Sequence, residues 1–263
     1  MLDIPDWDIG FKTDPGQKRK GEPNQDSVLV IPGQAGKAPL MIVADGMGGY
    51  RGGETASRLV VETILAVYQQ AVLPVDYAKL LADCLLTAHS AMRSYAAENS
   101  ELESMGSTAV IAAMDSGFIY VANVGDSRAY ILRGREVRQV NFDHSEVAEQ
   151  VRAGLITPLQ ALRHPRRNRL TQSISARRLE IKPYVVVVDL GPDDTILLCT
   201  DGLWGLLAES VVQAVALEFS PQQAVEKLVL LANNSGAPDN VTVVIARKKM
   251  ARITSLTDED EFD

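Results

Sequence analysis

Four acidic corners are the residues of this 263-residue chain best suited to chemistry: Asp45-Gly46, Gly125-Asp126-Ser127, Asp201-Gly202 and Asp239-Asn240. Each abuts an apolar run rich in β-branched residues: PLMIVA before Asp45, FIYVANV before Gly125, TILLCT before Asp201 and VTVVIA after Asn240. A strand that ends in an aspartate beside a turn-permissive residue fixes a carboxylate in space. Four such corners, far apart in sequence, predict carboxylates converging on a hard divalent cation or a pair of them. Oxygen-only ligands suit Mg²⁺ or Mn²⁺, whereas imidazole and thiolate favour softer metals. Asp-Gly and Asp-Asn are also good turn formers, and any one corner alone reads most simply as a turn.

The remaining polar motifs are weaker. Gly46-Met47-Gly48-Gly49 is not a dinucleotide loop, since Arg51 stands where a third glycine is required, and no Gly-Lys-Ser/Thr follows as a P-loop needs. Its glycines suit a close backbone approach to a metal, with a main-chain carbonyl as ligand, or a flexible strand-to-helix turn. Asn24-Gln25-Asp26 follows the basic stretch Lys18-Arg19-Lys20-Gly21, where a guanidinium could take a phosphoryl group in a bidentate fork. His89 reads as structural, and His144 as a cap or loop residue. The run Arg163 to Arg169 reads equally as a solvated face or as a docking surface for an acidic or phosphorylated partner. Ser57, Ser127 and Thr200 lack a nucleophile context such as G-x-S-x-G, so water activated by metal is the expected nucleophile.

These corners need strands to deliver them. Strands are predicted at VLVI, PLMIVA, STAVIAAM, FIYVANV, RAYILR, EVRQVN, YVVVVDL, TILLCT and NVTVVIAR. The short turns at Asp115-Ser116-Gly117, Gly125-Asp126-Ser127 and Gly134 predict hairpins and hence antiparallel pairing. Helices are predicted over 54–70, with Ala56, Val60, Ile64 and Val67 on one face, and over 76–98, with Tyr77, Leu81, Leu85, Ala88, Met92 and Tyr95. Two more follow at 207–218 and 221–233, the second capped by Ser220 with Pro221 in its first turn. Strands and helices in this order predict an α+β fold of two stacked antiparallel sheets with helices outside them. One domain is expected over 1–250, with two short helical patterns between 144 and 182 and an acidic, disordered tail at 251–263.

Composition narrows the function. The chain is 46% apolar with a formal charge of -8, which argues against nucleic acid as a partner. No apolar stretch is long enough to cross a bilayer, and MLDIPDWDIG has no apolar signal core, so no membrane partner and a cytoplasmic location are expected. Cys84 and Cys199, both in apolar contexts, are read as buried reduced thiols.

In order along the chain, a basic loop with NQDS, VADGMGG, GSTAV with VANVGDSRAYILR, LLCTDGLW and GAPDNVTVVIA resemble the motifs of the metal-dependent type 2C (PPM) protein phosphatases, in particular their compact bacterial members. The resemblance implies an α-β-β-α sandwich, and hydrolysis of phosphoserine and phosphothreonine by a hydroxide bridging two metals. It implies Asp45 as the bridging ligand, the Gly46 carbonyl as a further ligand, and Asp201 and Asp239 as the remaining direct ligands of the first metal. Asp126 and Asp201 would share a third, weaker ion. Asp26, with Gln25 and Asn240, would stand behind the ligands, Arg19 or Lys20 would bind the substrate phosphate, and 144–182 would form a flap that influences substrate choice. The implied partners are phosphorylated proteins, a serine/threonine kinase and its substrates, and the implied state is a monomer. Three departures stand out. Gln25 lies where many members have Glu, Met47 where eukaryotic members have a histidine considered a general acid, and Arg19 lies farther from Asn24 than in common bacterial versions.

Overall fold

A computed structural model of the chain describes residues 6–33 and 36–249. The tail expected at 251–263 lies outside the described residues. The strands are β1 (Trp7–Asp14), β2 (Asp26–Ile31), β3 (Leu40–Met47), β4 (Gly106–Ser107), β5 (Ala109–Asp115), β6 (Phe118–Val124), β7 (Arg128–Arg133), β8 (Glu136–Gln139), β9 (Ile174–Ser175), β10 (Tyr184–Asp189), β11 (Thr195–Cys199) and β12 (Val241–Lys248). The helices are α1 (Gly49–Gln70), α2 (Tyr77–Glu98), α3 (Glu146–Arg152), α4 (Pro158–Leu162), α5 (Asp201–Trp204), α6 (Glu209–Glu218) and α7 (Pro221–Asn234).

All pairings between these strands are antiparallel and they build two sheets. One runs β1-β12-β11-β7-β8. The other runs β10-β6-β5-β3-β4-β9, with β2 also on β3. Alternation along each strand sorts its side chains between two cores. On β3, Leu40, Ile42 and Ala44 pack under α1 and α2, while Met41 and Val43 face the second sheet. On β11, Leu197 and Cys199 pack under α5, α6 and α7, while Ile196 and Leu198 face the seam between the sheets. The result is the predicted four-layer sandwich, helices outside and two sheets within. Tyr77 and Tyr68 fasten α2 and α1 to the approach to β3: Ala38 N–H donates to Tyr77 Oη at 2.6 Å and the Ala38 carbonyl accepts from Tyr68 Oη at 2.5 Å.

Several local expectations need correction. The first strand is β1, which precedes the predicted one. Its sequence WDIGFKTD has little β-branched character because it forms an edge, with Phe11 and Lys12 exposed. The Gly-rich bend is already helical from Gly49, since packing against β3 overrides the poor helix propensity of its glycines. Gly125-Asp126-Ser127 is not a hairpin: β6 lies in one sheet and β7 in the other, so this corner crosses the sandwich. Ser220 occupies the N-cap position of α7 without a capping bond to the backbone, its hydroxyl instead donating to Gln223 Oε1. The turns at Ser116-Gly117 and Gly134 are hairpins as predicted. Cys84 and Cys199 are buried and unpaired, and burial pushes the Cys84 thiol up to about 12. Among the described residues no helix is long and apolar enough to cross a membrane.

Leu198 is fully buried in the seam. Leu198→Ala should therefore cost about 2–5 kcal/mol, the range for emptying a leucine site that cannot collapse. Urea denaturation of the two proteins checks this.

Candidate metal centre

The alternation that fills the seam also ends it with polar groups. Asp45 continues the Met41–Val43 face of β3, and Asp26, its direct cross-strand partner, continues the Val30–Val28 face of β2. Thr200 and Thr242 continue the seam faces of β11 and β12. Both hydroxyls donate to Asp26 Oδ2, at 2.9 and 2.7 Å, and Thr13 of β1 meets Thr242 hydroxyl to hydroxyl at 2.7 Å. One open end of the sandwich is thus lined by strand ends from both sheets. Asp201 enters there as the first residue of α5, and Asp239 on the loop before β12.

Each corner is held by main-chain bonds. The Asp45 carbonyl accepts from Thr108 N–H at 2.8 Å and from Ser107 Oγ at 2.9 Å, and Asp45 N–H donates to Thr108 Oγ1 at 3.2 Å. At Gly46 a Cβ would sit 2.0 Å from the Gly53 carbonyl oxygen, so only glycine lets the end of β3 lie against the start of α1. Gly125 turns with φ of +103° beside Thr108. His144 clasps it twice: Gly125 N–H donates to Nδ1 at 3.1 Å, and His144 N–H donates to the Gly125 carbonyl at 2.9 Å. The Asp126 carbonyl accepts from Trp204 Nε1 at 3.0 Å, and Arg128 lies 3.7 Å over the Trp204 ring while gripping the Asp143 carboxylate with two nitrogens. Asn240 ties the basic loop to the site, donating to the Pro15 carbonyl and accepting from Gln25 N–H, both at 2.9 Å.

The electrostatics show that five carboxylates share this space. Burial, with the charges of Asp201 and Asp239 adding to it and the two threonine bonds opposing it, raises Asp26 to about 7. Burial, then Asp201 and Asp143, raises Asp126 to about 8 against the opposing charge of Arg128. Burial, then Asp239, raises Asp201 to about 6 while Arg19 opposes them. Asp45 lies well above the usual carboxylate range through burial and then the charges of Asp26, Asp201, Asp126 and Asp239.

The predicted residues divide in their placement. Asp26, Asp45, Asp126, Asp201 and Asp239 come within electrostatic reach of one another. Among the described residues no three His, Cys, Asp or Glu side chains stand gathered as a ready metal cage. Asp239 gives Oδ1 to Asn240 N–H at 2.8 Å and to Arg19 at 3.1 Å. Arg19 also reaches Gln25 Oε1 at 3.3 Å, so it folds over the site, whereas Lys20 is exposed and in no ion pair among the described residues. His89 is structural, its Nε2 3.2 Å from the Arg178 carbonyl oxygen. The sequence reading missed Thr200, Thr242, Thr108 and the His144 clasp. The alternation in TILLCT and VTVVIA carries a signal for the first two; nothing local marks the others. A cavity of about 480 Å³ opens at the far end of the sandwich beside Trp7, Lys37 and Asp115, and none of these carboxylates lines it.

A divalent cation fits this donor set. The oxygens are hard, the acids carry mutual repulsion that a cation would relieve, and the Oδ1 atoms of Asp26 and Asp201 are buried without a hydrogen-bond partner. Carboxyls raised on folding stabilise the protein most at low pH and lose that contribution as pH rises through their folded values. In chelator the melting temperature should therefore fall as pH rises from about 6 to about 8, the span of the Asp201 and Asp126 values, and Mn²⁺ should flatten the slope. Thermal melts across pH, with and without Mn²⁺, check it.

Comparison with known proteins places this geometry. The family profile of protein phosphatase 2C matches residues 15–235. Protein phosphatase PhpP of Streptococcus pneumoniae is 36% identical over 254 residues, covering 90% of this chain and 96% of that protein. The crystal structure of serine/threonine phosphatase Stp1 from Staphylococcus aureus superposes with a TM-score of 0.85 at 30% identity, covering 95% of this chain and 96% of that one. The catalytic domain of serine/threonine protein phosphatase PstP, solved in complex with two manganese ions, gives a TM-score of 0.79 at 29% identity, covering 92% and 97%.

Proposed function

This chain belongs to the protein phosphatase 2C family, and from that premise we propose that Asp45, Asp201 and Asp239, with the Gly46 carbonyl, hold two divalent cations, Mn²⁺ or Mg²⁺, and that Asp126 with Asp201 takes a third, weaker one. The enzyme is a metal-dependent serine/threonine protein phosphatase that hydrolyses phosphoserine and phosphothreonine in proteins. The observation that carries the site assignment is the meeting of five aspartates from separate segments at one end of the seam, two with buried oxygens left without partners.

When bound, the cations acidify water and offset the charge of a phosphoryl group. The chain's own residues do the rest. Arg19, planar and permanently charged, receives the phosphate oxygens in its fork, exchanging its present carboxylate partner Asp239 for an anionic substrate; Lys20 is the alternate. Asp26 acts from behind the ligands, since Thr200 and Thr242 fix one of its oxygens and leave Oδ1 for a further donor. Gln25 and Asn240 keep the Arg19 loop seated against the Asp239 loop. Residues 144–182 serve as the flap of a single phosphatase domain spanning 1–250. In the cell the protein works as a cytoplasmic monomer against a serine/threonine kinase.

Two sets of substitutions test the assignment. Asp45→Asn and Asp239→Asn should each lower Mn²⁺-dependent hydrolysis of a phosphothreonine peptide by more than about 100-fold, because a carboxylate bound directly to the metal is lost. Their metal-free melting temperature at pH 8 should be no lower than that of the parent, since a repelling charge has gone. Arg19→Ala should chiefly raise KM, by about 10-fold or more, as expected for lost charge-assisted phosphate binding. Steady-state kinetics with Mn²⁺ and then with chelator decides. Parent-like rates in the aspartate variants, or activity that survives chelation, would remove the metal assignment.

A further inference from the structure

The flap differs in charge from the rest of the molecule. Residues 144–182 hold eight Arg or Lys against three Glu, in a chain whose formal charge is -8. Some of these cations are engaged: Arg169 and Arg166 lie 3.0 and 3.8 Å from Glu146, Arg177 lies 2.9 Å from Glu103, and Arg152 stacks 4.1 Å over Phe142. Arg163 and Arg167 are exposed and, among the described residues, in no ion pair. Beside them Leu155, Leu159 and Leu162 are 73%, 65% and 58% exposed. Leu159 and Leu162, three apart on α4, share a face of that helix, and Arg163 follows at its C-cap. Scattered exposed leucines are ordinary; three within eight residues, flanked by uncommitted arginines, form a mixed apolar and cationic patch.

Its location ties this patch to the catalytic end. The flap leaves from His144, which clasps the Gly125–Asp126 corner. It returns through β9, which pairs with β4, and β4 pairs with Gly46 and Met47 just past Asp45. Its neck is closed by the Ser145–Leu170 bridge and by Thr171 N–H donating to the His144 carbonyl at 2.8 Å. A polypeptide whose phosphorylated residue enters the site has this surface within reach of its flanking residues.

We propose that the patch of Leu155, Leu159, Leu162, Arg163 and Arg167 is a docking site for an acidic segment with interspersed large apolar residues, lying beside the phosphorylated residue of the substrate protein. Carboxylates of the segment meet Arg163 and Arg167, and its apolar side chains cover the leucines. A polypeptide is favoured over an anionic membrane because α4 is five residues long, too short to lie as an interfacial helix. Nucleic acid is disfavoured by the acidic site next to the patch. The inference rests on the phosphatase reading above and adds a sequence preference to it.

The test uses the full chain with Mn²⁺ and three substrates: an aryl phosphate, a phosphothreonine peptide with neutral polar flanks, and one with Asp, Glu and Leu in the flanks. The parent should show a KM about 10-fold lower for the acidic-apolar peptide than for the neutral one, with the difference shrinking in high salt. Arg163→Glu with Arg167→Glu, and separately Leu159→Ala with Leu162→Ala, should raise that KM to the neutral value. Neither pair should change kcat or aryl phosphate hydrolysis, and the latter shows that the variants are folded. Equal KM values for the two peptides in the parent, with aryl phosphate hydrolysis intact, would overturn the docking site alone. No metal-dependent hydrolysis of any substrate by the parent would overturn the phosphatase reading and this inference with it. Sedimentation with anionic phospholipid vesicles that the same substitutions abolish would assign the patch to a membrane and overturn the peptide.

Discussion

Carboxylates of one sign crowded into the open end of a dry seam are the constraint on which the rest of this structure depends. Burial raises the proton affinity of Asp26, Asp45, Asp126 and Asp201 there, and the charges of neighbouring aspartates raise it further. A fold does not gain stability from such an arrangement; charges brought together without partners oppose it. The sandwich tolerates it because the cost is confined to one end, while fully buried side chains such as Ile111, Met41 and Leu197 fill three apolar cores elsewhere. The same repulsion makes the end a receptor for hard cations, so the strain of the free protein and the chemistry of the loaded one have a single origin.

What keeps the carboxylates in place is a neutral frame of hydroxyls and amides. Thr200 and Thr242 hold Asp26, Thr108 and Ser107 hold the Asp45 main chain, and Asn240 bridges two loops. These groups add no charge to a site that already has too much. Among the described residues Arg19 is the cation paired with Asp239, and in the proposed function it is the partner that a phosphate replaces. The Asp126 corner is held differently, by Trp204 and by the flap's own first residue, His144. Flap and corner are therefore one mechanical unit. The segment 144–182 and the corner that carries Asp126 share hydrogen bonds through His144 and Gly125.

Much of this was legible in the residues. The apolar runs bordered by aspartate marked the four corners that the fold brings to one end, and strand alternation explains the facing of Asp45, which inherits the Met41–Val43 face. Helical periodicity located α1 and α2, though the glycines hid the first turn of α1. What escaped was whatever depends on partners distant in the chain. β1 has weak strand character and exists through its pairing with β12. The Gly125 corner looks like a hairpin locally and crosses between sheets because β7 finds β11. Arg19 and Lys20 are adjacent in sequence, where the guanidinium fork favours the first, and the path of the loop turns Arg19 toward Gln25 and Asp239. The threonines around Asp26 carry a parity signal but no motif, and the His144 clasp carries none.

The central claim is that these acids form a receptor for divalent cations. Isothermal titration of Mn²⁺ into chelator-stripped protein at pH 7, repeated in buffers of different ionisation enthalpy, tests it most directly. The account predicts at least two ions bound per chain, with protons released as carboxyls raised to between about 6 and 8 give them up. It also predicts that Asp45→Asn loses the tighter site. Titration without saturable heat, or binding that neither releases protons nor responds to Asp45→Asn, would contradict it.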